Sequence, residues 1–198
     1  MGKEGEEGLN IQIDVDGVLA DFVKGFYDTA RYYIPDLPMV TTYDQQDWHN
    51  WVGIPENIQN IVWKEIKESK VWWYKLDPLP TLKERNTLSQ LDYTDGLNMY
   101  FVTSRPGDYA KFLTERWIRT YIPIEHPTVI VAKHKAAISK VLYIDYSIED
   151  NGQNAESIGL TMKHREHSYL IDRPYNTRLP WQVTRVKTIG EFLEKIPR

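Results

Sequence analysis

The sequence predicts an α/β fold: a parallel sheet flanked by helices, with a small helical cap inserted after the first strand–helix unit. Three observations predict it. Short apolar runs alternate with segments of helical spacing, and such alternation implies parallel strands covered on both faces. The apolar runs end in acids or hydroxyls, which would gather at the sheet edge where open α/β sheets hold ligands. Residues about 30–78 interrupt this rhythm with proline-rich, acidic and aromatic segments.

Residues 1–9 are polar and glycine-rich and read as a flexible lead-in without the apolar centre of a signal peptide. "LNIQIDV" is the first, buried strand. "DFVKGFYDTARYY" has helical spacing, with Phe22, Val23, Phe26 and Tyr27 on one apolar stripe. Asp21 precedes it as an N-cap. The insert follows, loop-like at first, then helical over about 55–69, with Pro55 in the first turn and Ile58, Ile61, Val62 and Ile66 on one face. "DPLPTLKERNTLSQL" gives a helix entered through prolines. The alternation then resumes. "LNMYFVTS" is a strand, "PGDYAKFLTERWIRTY" a helix, "TVIVA" a strand and "KHKAAISKVL" a helix. "DYSIEDN" and "SYLIDRPYN" are two further strands. "TIGEFLEKI" opens with Thr-x-x-Glu, a capping box, and predicts a last helix from Thr188. The expected organisation is a core of 10–29 and 79–198 with a cap of 30–78.

Hydrophobic residues are 41% and charged residues 26% of the chain, the composition of a globular protein. The absence of cysteine excludes disulfides, thiolate catalysis and Cys-based zinc sites. A net charge of −4 argues against a general binder of polymeric nucleic acid, yet permits a local cationic pocket for a small anion. Seven tryptophans and thirteen tyrosines supply material for a core, an interface or a stacking pocket. No apolar run reaches membrane-spanning length, and a cytoplasmic location without membrane partners is expected.

The strand ends carry the chemistry. Asp14 and Asp16 follow the first strand, Thr103 and Ser104 the second, Lys133 and Lys135 the third, and Glu149 and Asp150 the fourth. In a parallel sheet these groups meet at one edge. Acids from separate strands suit a hard cation such as Mg²⁺, and a lysine beside them suits an anionic substrate, most simply a phosphate ester. An aspartate can attack phosphorus to form an acyl phosphate. A second aspartate can protonate the leaving oxygen and then activate water.

"DVDGVLAD", "YFVTS", a downstream lysine and "SIEDN" together resemble the four ordered motifs of the haloacid dehalogenase-like (HAD) phosphohydrolases. Within that superfamily the chain most resembles the 5′(3′)-deoxyribonucleotidases, through "DVDGVLADF", "ESKVWWYKLDPLP", "FVTSRPG", "WIRTY" and, as in the bacterial and phage branch, "LIDRPYN". The resemblance implies a Rossmann-like core and a Mg²⁺-dependent phosphomonoesterase acting on nucleoside monophosphates. It implies Asp14 as nucleophile and Asp16 as acid and base. It implies Mg²⁺ held by the Asp14 side chain, the Asp16 carbonyl and Asp150. Glu149 stands where the family usually has aspartate and would act through a water. Thr103, Ser104 and Lys135 would hold phosphate, and Phe22, Trp51 and Val52 would line a base pocket. A homodimer is also implied.

Several residues carry competing readings. Lys135 is favoured over Lys133 because it opens the helix after "TVIVA", and Lys140 is too far along that helix. Trp72 and Trp73 read as packing where the insert rejoins the core. Arg105 is either a surface salt bridge or a phosphate or sugar contact. His164 and His167 lack a third ligand and read as exposed loop histidines. Another phosphorylated metabolite, a signalling nucleotide or a weakly catalytic nucleotide-binding role stand as alternatives to nucleotidase activity.

Overall fold

The structure, a computed structural model, describes residues 8–38, 53–176 and 182–197. Six strands form one parallel sheet. They are β1 (Leu9–Ile13), β2 (Leu97–Thr103), β3 (Thr128–Val131), β4 (Tyr146–Glu149), β5 (Ser168–Ile171) and β6 (Thr184–Val186), in the order β3-β2-β1-β4-β5-β6. The helices among the described residues are α1 (Phe22–Arg31), α2 (Glu56–Glu68), α3 (Leu82–Leu91), α4 (Ala110–Tyr121), α5 (Lys135–Val141), α6 (Gly152–Gly159) and α7 (Ile189–Leu193). None is long and apolar enough to cross a membrane.

From β1 the chain steps outward to β2 and β3, then crosses back to place β4 on the other side of β1. Right-handed crossovers therefore put α3 and α4 on one face and α5 and α6 on the other. The packing of α5 on α6 and of α3 on α7 agrees. The direction of winding reverses between β1 and β4, which makes that crevice the place for a ligand. Ile13 is paired with Ile148, and the Asp14 amide donates to the Ile148 carbonyl at 3.0 Å. Asp14 thus emerges beside Glu149.

The α1 stripe of Phe22, Val23, Phe26 and Tyr27 is buried as its spacing predicts, and the Asp21 carboxylate caps the helix by accepting from the Lys24 amide at 3.0 Å. Other elements differ from expectation. In α2, Val62 and Ile66 are buried, but Ile61 is exposed, so the buried face is narrower than the apolar pattern. Thr188 does cap α7, yet Glu191 accepts from the Lys187 amide instead of closing the box onto Thr188. The complete capping box lies at Thr81 and Glu84 instead. Neither α6 nor β6 was anticipated. α6 begins with glycine and depends on Asn151, whose side chain accepts from the Asn154 amide. β6 has only three residues and is paired by β5.

The chain leaves the sheet region and returns to it at one point. The Asp21 amide donates to the Asp77 carbonyl at 2.9 Å, and the Leu79 amide donates to the Leu19 carbonyl at 2.8 Å. Trp117 of α4 pins the returning segment. Its fully buried indole donates Nε1–H to the Leu76 carbonyl at 2.7 Å. Removing that ring opens a large cavity and orphans a carbonyl. Trp117→Ala is therefore expected to lower the unfolding free energy by about 3–5 kcal/mol. Trp117→Phe, which loses chiefly the hydrogen bond, should cost about 1–3 kcal/mol. Denaturant unfolding of the two variants checks both values, and a smaller loss for alanine than for phenylalanine would contradict the assignment.

Candidate active site

The turn after β1 delivers the first two acids. The amides of Leu19 and Ala20 both donate to the Val15 carbonyl at 2.8 Å, and the Gly17 amide donates to Ala20 at 2.9 Å. Gly17 has φ +76°, in the left-handed region that favours glycine. A Cβ at this position would also lie 1.9 Å from Asp150 Oδ2. The glycine therefore serves the turn and the close approach of Asp150 together.

Asp14, Glu149 and Asp150 are all buried, and each offers a carboxylate oxygen within 4.8 Å of the others. Lys135, the first residue of α5, is buried among them. Its Nζ lies 2.6 Å from Asp14 Oδ1 and donates to Glu149 Oε1 and Oε2 at 3.0 and 3.1 Å. Burial opposes the lysine charge, but the carboxylates of Asp14 and Glu149 outweigh it and raise the pKa above the usual lysine range. Lys133 is exposed. Of the lysines that could serve the third motif, Lys135 is the one that reaches the acids.

One ammonium does not balance three buried carboxylates. Burial, followed by the Asp14 charge, pushes Asp150 up to about 8. Glu149 is likewise raised well above the ordinary carboxylate range by burial and by Asp14. The donor set is oxygen only, acidic and short of positive charge, which fits a hard divalent cation. Sequence reasoning missed the groups that hold Asp150. The Tyr175 hydroxyl donates to Asp150 Oδ2, and Asn176 Nδ2 donates to the Asp150 carbonyl at 2.7 Å. Arg173 of the same segment donates to the Gly17 and Val18 carbonyls. The quoted stretch "LIDRPYN" was the available signal, but it named no partner.

Asp16 is less buried than Asp14. Thr103 Oγ1 donates to its Oδ2 at 3.3 Å. Ser104 is exposed and donates to the Ala132 carbonyl at 2.9 Å. Arg105 is neither at the surface nor turned to open solvent. It is buried, and its guanidinium forks onto Asp16, with Nη2 to Oδ1 at 2.7 Å.

These groups share a cavity of about 430 Å³. It is lined by the charged groups Asp14, Asp16, Lys135, Asp150 and Arg105, by the polar residues Thr103, Ser104, Asn151 and Asn154, and by the rings of Phe22, Trp63 and Trp73. Phe22 stacks on Trp73, with ring centroids 5.6 Å apart and 17° between planes, and lies 5.7 Å from Trp63. Trp73, expected only as packing, is buried packing and also pocket wall. Trp63 was missed, although it sits three residues before buried Ile66 on α2. Trp51 and Val52 lie outside the described residues. His167 ends the short 3-10 turn Arg165–His167 before β5, and His164 immediately precedes that turn. His164 lies 3.5 Å from Glu166, and His167 stacks on Tyr146.

Comparison with known proteins identifies the family and the fold. The profile of the family described as "5' nucleotidase, deoxy (Pyrimidine), cytosolic type C protein" matches residues 8–194. The chain is 28% identical over 188 residues to the human mitochondrial 5'(3')-deoxyribonucleotidase, covering 86% of this chain and 78% of that protein. It is 28% identical over 175 residues to a nucleotidase of Clostridium acetobutylicum, covering 87% of this chain and 84% of the other. A haloacid dehalogenase-like hydrolase from Burkholderia xenovorans superposes with a TM-score of 0.58 at 10% identity, over 95% of this chain and 96% of that one. Another, from Streptococcus pneumoniae, does so with a TM-score of 0.57 at 14% identity, over 96% and 98%. The fold is thus the HAD-like one, and the match along nearly the whole sequence makes this chain a member of the cytosolic type C 5′-deoxynucleotidase family.

Proposed function

We propose that this chain is a Mg²⁺-dependent nucleotidase that hydrolyses nucleoside monophosphates, deoxynucleotides among them, to nucleoside and phosphate. One observation carries the reading: the acid–lysine cluster and the aromatic wall line the same cavity, so a phosphate and a flat base can be held at once. The family membership supports it.

In this reading Asp14 is the nucleophile. Its Oδ1 is held by Lys135 and by the Val15 amide at 2.6 Å, which leaves Oδ2 to attack phosphorus. The ester P–O bond breaks as the acyl phosphate forms, and Asp16 gives its proton to the departing nucleoside oxygen. Asp16 then takes a proton from water as that water attacks phosphorus, releasing phosphate and restoring Asp14. Lys135 offsets charge on Asp14 and on the transferring phosphoryl group, and the Thr103 and Ser104 hydroxyls, which donate to Asp16 and the Ala132 carbonyl without substrate, turn to its oxygens. The Asp14 side chain, the Asp16 carbonyl and Asp150 would hold Mg²⁺, with Glu149 reaching it through water, and the ion would supply positive charge to offset that of the phosphoryl oxygens. Phe22, Trp63 and Trp73 form the base wall, with Trp51 and Val52 as further substrate-side residues. The segment 30–78 acts as a cap over a core of 10–29 and 79–198. The paired hydrogen bonds at Asp21–Asp77 and Leu19–Leu79 support a common root for that cap.

Two predictions follow from these roles. Asp14→Asn is expected to abolish phosphate release from every nucleoside monophosphate, and Asp16→Asn to slow it by about 10²–10⁴-fold. A phosphate assay over a nucleotide panel, with and without Mg²⁺, checks this. Full activity of Asp14→Asn would remove the nucleophile from the scheme.

The second prediction concerns pH and metal. Asp150 is faced by Asp14, Glu149, Lys135, Arg173 and Tyr175, and its raised pKa means the folded metal-free protein keeps a proton that the unfolded chain has lost. The native state then binds more protons than the unfolded one, so this group lowers stability as pH climbs from about 4 towards 8. A cation that holds the carboxylates ionised offsets the loss. The rise in melting temperature on adding Mg²⁺ should therefore be larger at pH 8 than at pH 6. Equal shifts at the two pH values would contradict this linkage.

A further inference from the structure

We propose that Arg105 is a positioning residue for Asp16, holding its carboxylate at the angle from which it serves the leaving oxygen. The inference rests on the reading of Asp16 as acid and base. Asp16 sits on a turn beyond the end of β1, beside the cavity, with its side chain 17% exposed. A carboxylate there has rotamers to sample. Proton transfer needs hydrogen-bond reach of the departing oxygen, and a displacement of about 1 Å can cost about 10²-fold.

Arg105 removes that freedom. Its Nε donates to Asp16 Oδ1 and Oδ2 at 3.1 and 2.9 Å, and Nη2 donates to Oδ1 at 2.7 Å. A planar fork of this kind fixes orientation as well as distance, which a lysine ammonium does not. The guanidinium is itself fixed from behind. Nη1 donates to Thr114 Oγ1 at 2.9 Å, and that hydroxyl donates to the Ala110 carbonyl at 2.7 Å, so it is turned to accept. The cation also lies over the Trp73 ring, 4.7 Å from its centre. The Arg105 side chain has no exposed surface. Each of its three nitrogens already holds a protein partner. This arrangement suits a group that acts through Asp16 better than one that grips substrate. It also ties the acid to the aromatic wall, because the ring that backs Arg105 is the ring on which Phe22 stacks.

The test compares two leaving groups. A nucleoside alkoxide needs a proton as it departs, whereas nitrophenolate does not. The quantity to measure is kcat/KM, which reports the first chemical step, for a nucleoside monophosphate and for p-nitrophenyl phosphate with Mg²⁺ present. Arg105→Lys and Arg105→Met are expected to lower the nucleotide value by about 10–100-fold and the nitrophenyl value by less than about 3-fold. In an Asp16→Asn background the same substitutions should change the nucleotide value by no more than about 2-fold, since the group through which Arg105 acts is gone. Should the Arg105 variants fail to fold, Thr114→Val loosens the guanidinium without removing it, and a smaller loss confined to the nucleotide is expected. Equal losses for both substrates, or an undiminished loss in the Asp16→Asn background, would overturn the assignment while nucleotidase activity stands. An inactive wild-type protein would overturn that reading, and the assignment with it.

Discussion

The Lys135 ammonium, 2.6 Å from Asp14 and 3.0 Å from Glu149, is the contact on which the site depends. Asp14, Glu149 and Asp150 are carboxylates withdrawn from water, and isolated charges in that setting are strongly disfavoured. Lys135 offsets part of this charge, and burial together with the Asp14 carboxylate still keeps the Asp150 pKa raised. The site is therefore short of positive charge, which favours a ligand that supplies it. Charges held in a dry, fixed arrangement act on developing charge far more strongly than they would in water.

The fold makes this concentration of charge possible. β1 lies between β2 and β4, so the end of one strand has neighbours on both sides that can contribute at the same level. Pairing of Ile13 with Ile148 sets Asp14 next to Glu149, and α5 starts at Lys135, directly above the gap. Gly17 then lets Asp150 approach the backbone of the β1 turn where any side chain would collide with it. The Tyr175 hydroxyl, which also lies close to Gly17, and the Asn176 side-chain amide hold Asp150 in place. The aromatic wall follows from the same point. The residues leaving at Asp21 and returning at Asp77 bring Phe22, Trp63 and Trp73 over the acids.

Much of this was legible in the sequence, for a physical reason. Strands of a parallel sheet point the same way, so polar residues that end successive apolar runs must share an edge. That logic is enough to bring Asp14, Thr103, Lys135, Glu149 and Asp150 together. Partners that depend on distant geometry were not legible. Arg105 and Asp16 are 89 positions apart, and nothing in either segment announces the fork between them. The same holds for Tyr175 and Asp150. α6 was hidden because it opens with glycine and owes its start to Asn151, and β6 because three residues carry too little pattern. The wall residue Trp63 was lost in an apolar face that reads equally well as plain packing.

In the proposed reaction Asp14, held by Lys135, forms a bond to phosphorus. The most direct test is acid quenching of the wild-type protein during turnover of a nucleoside monophosphate carrying a radioactive phosphate, followed by peptide mapping. Hydroxylamine-labile label is expected on the peptide that contains Asp14. Turnover with no protein-bound label, or label on a peptide without Asp14, would contradict that reaction.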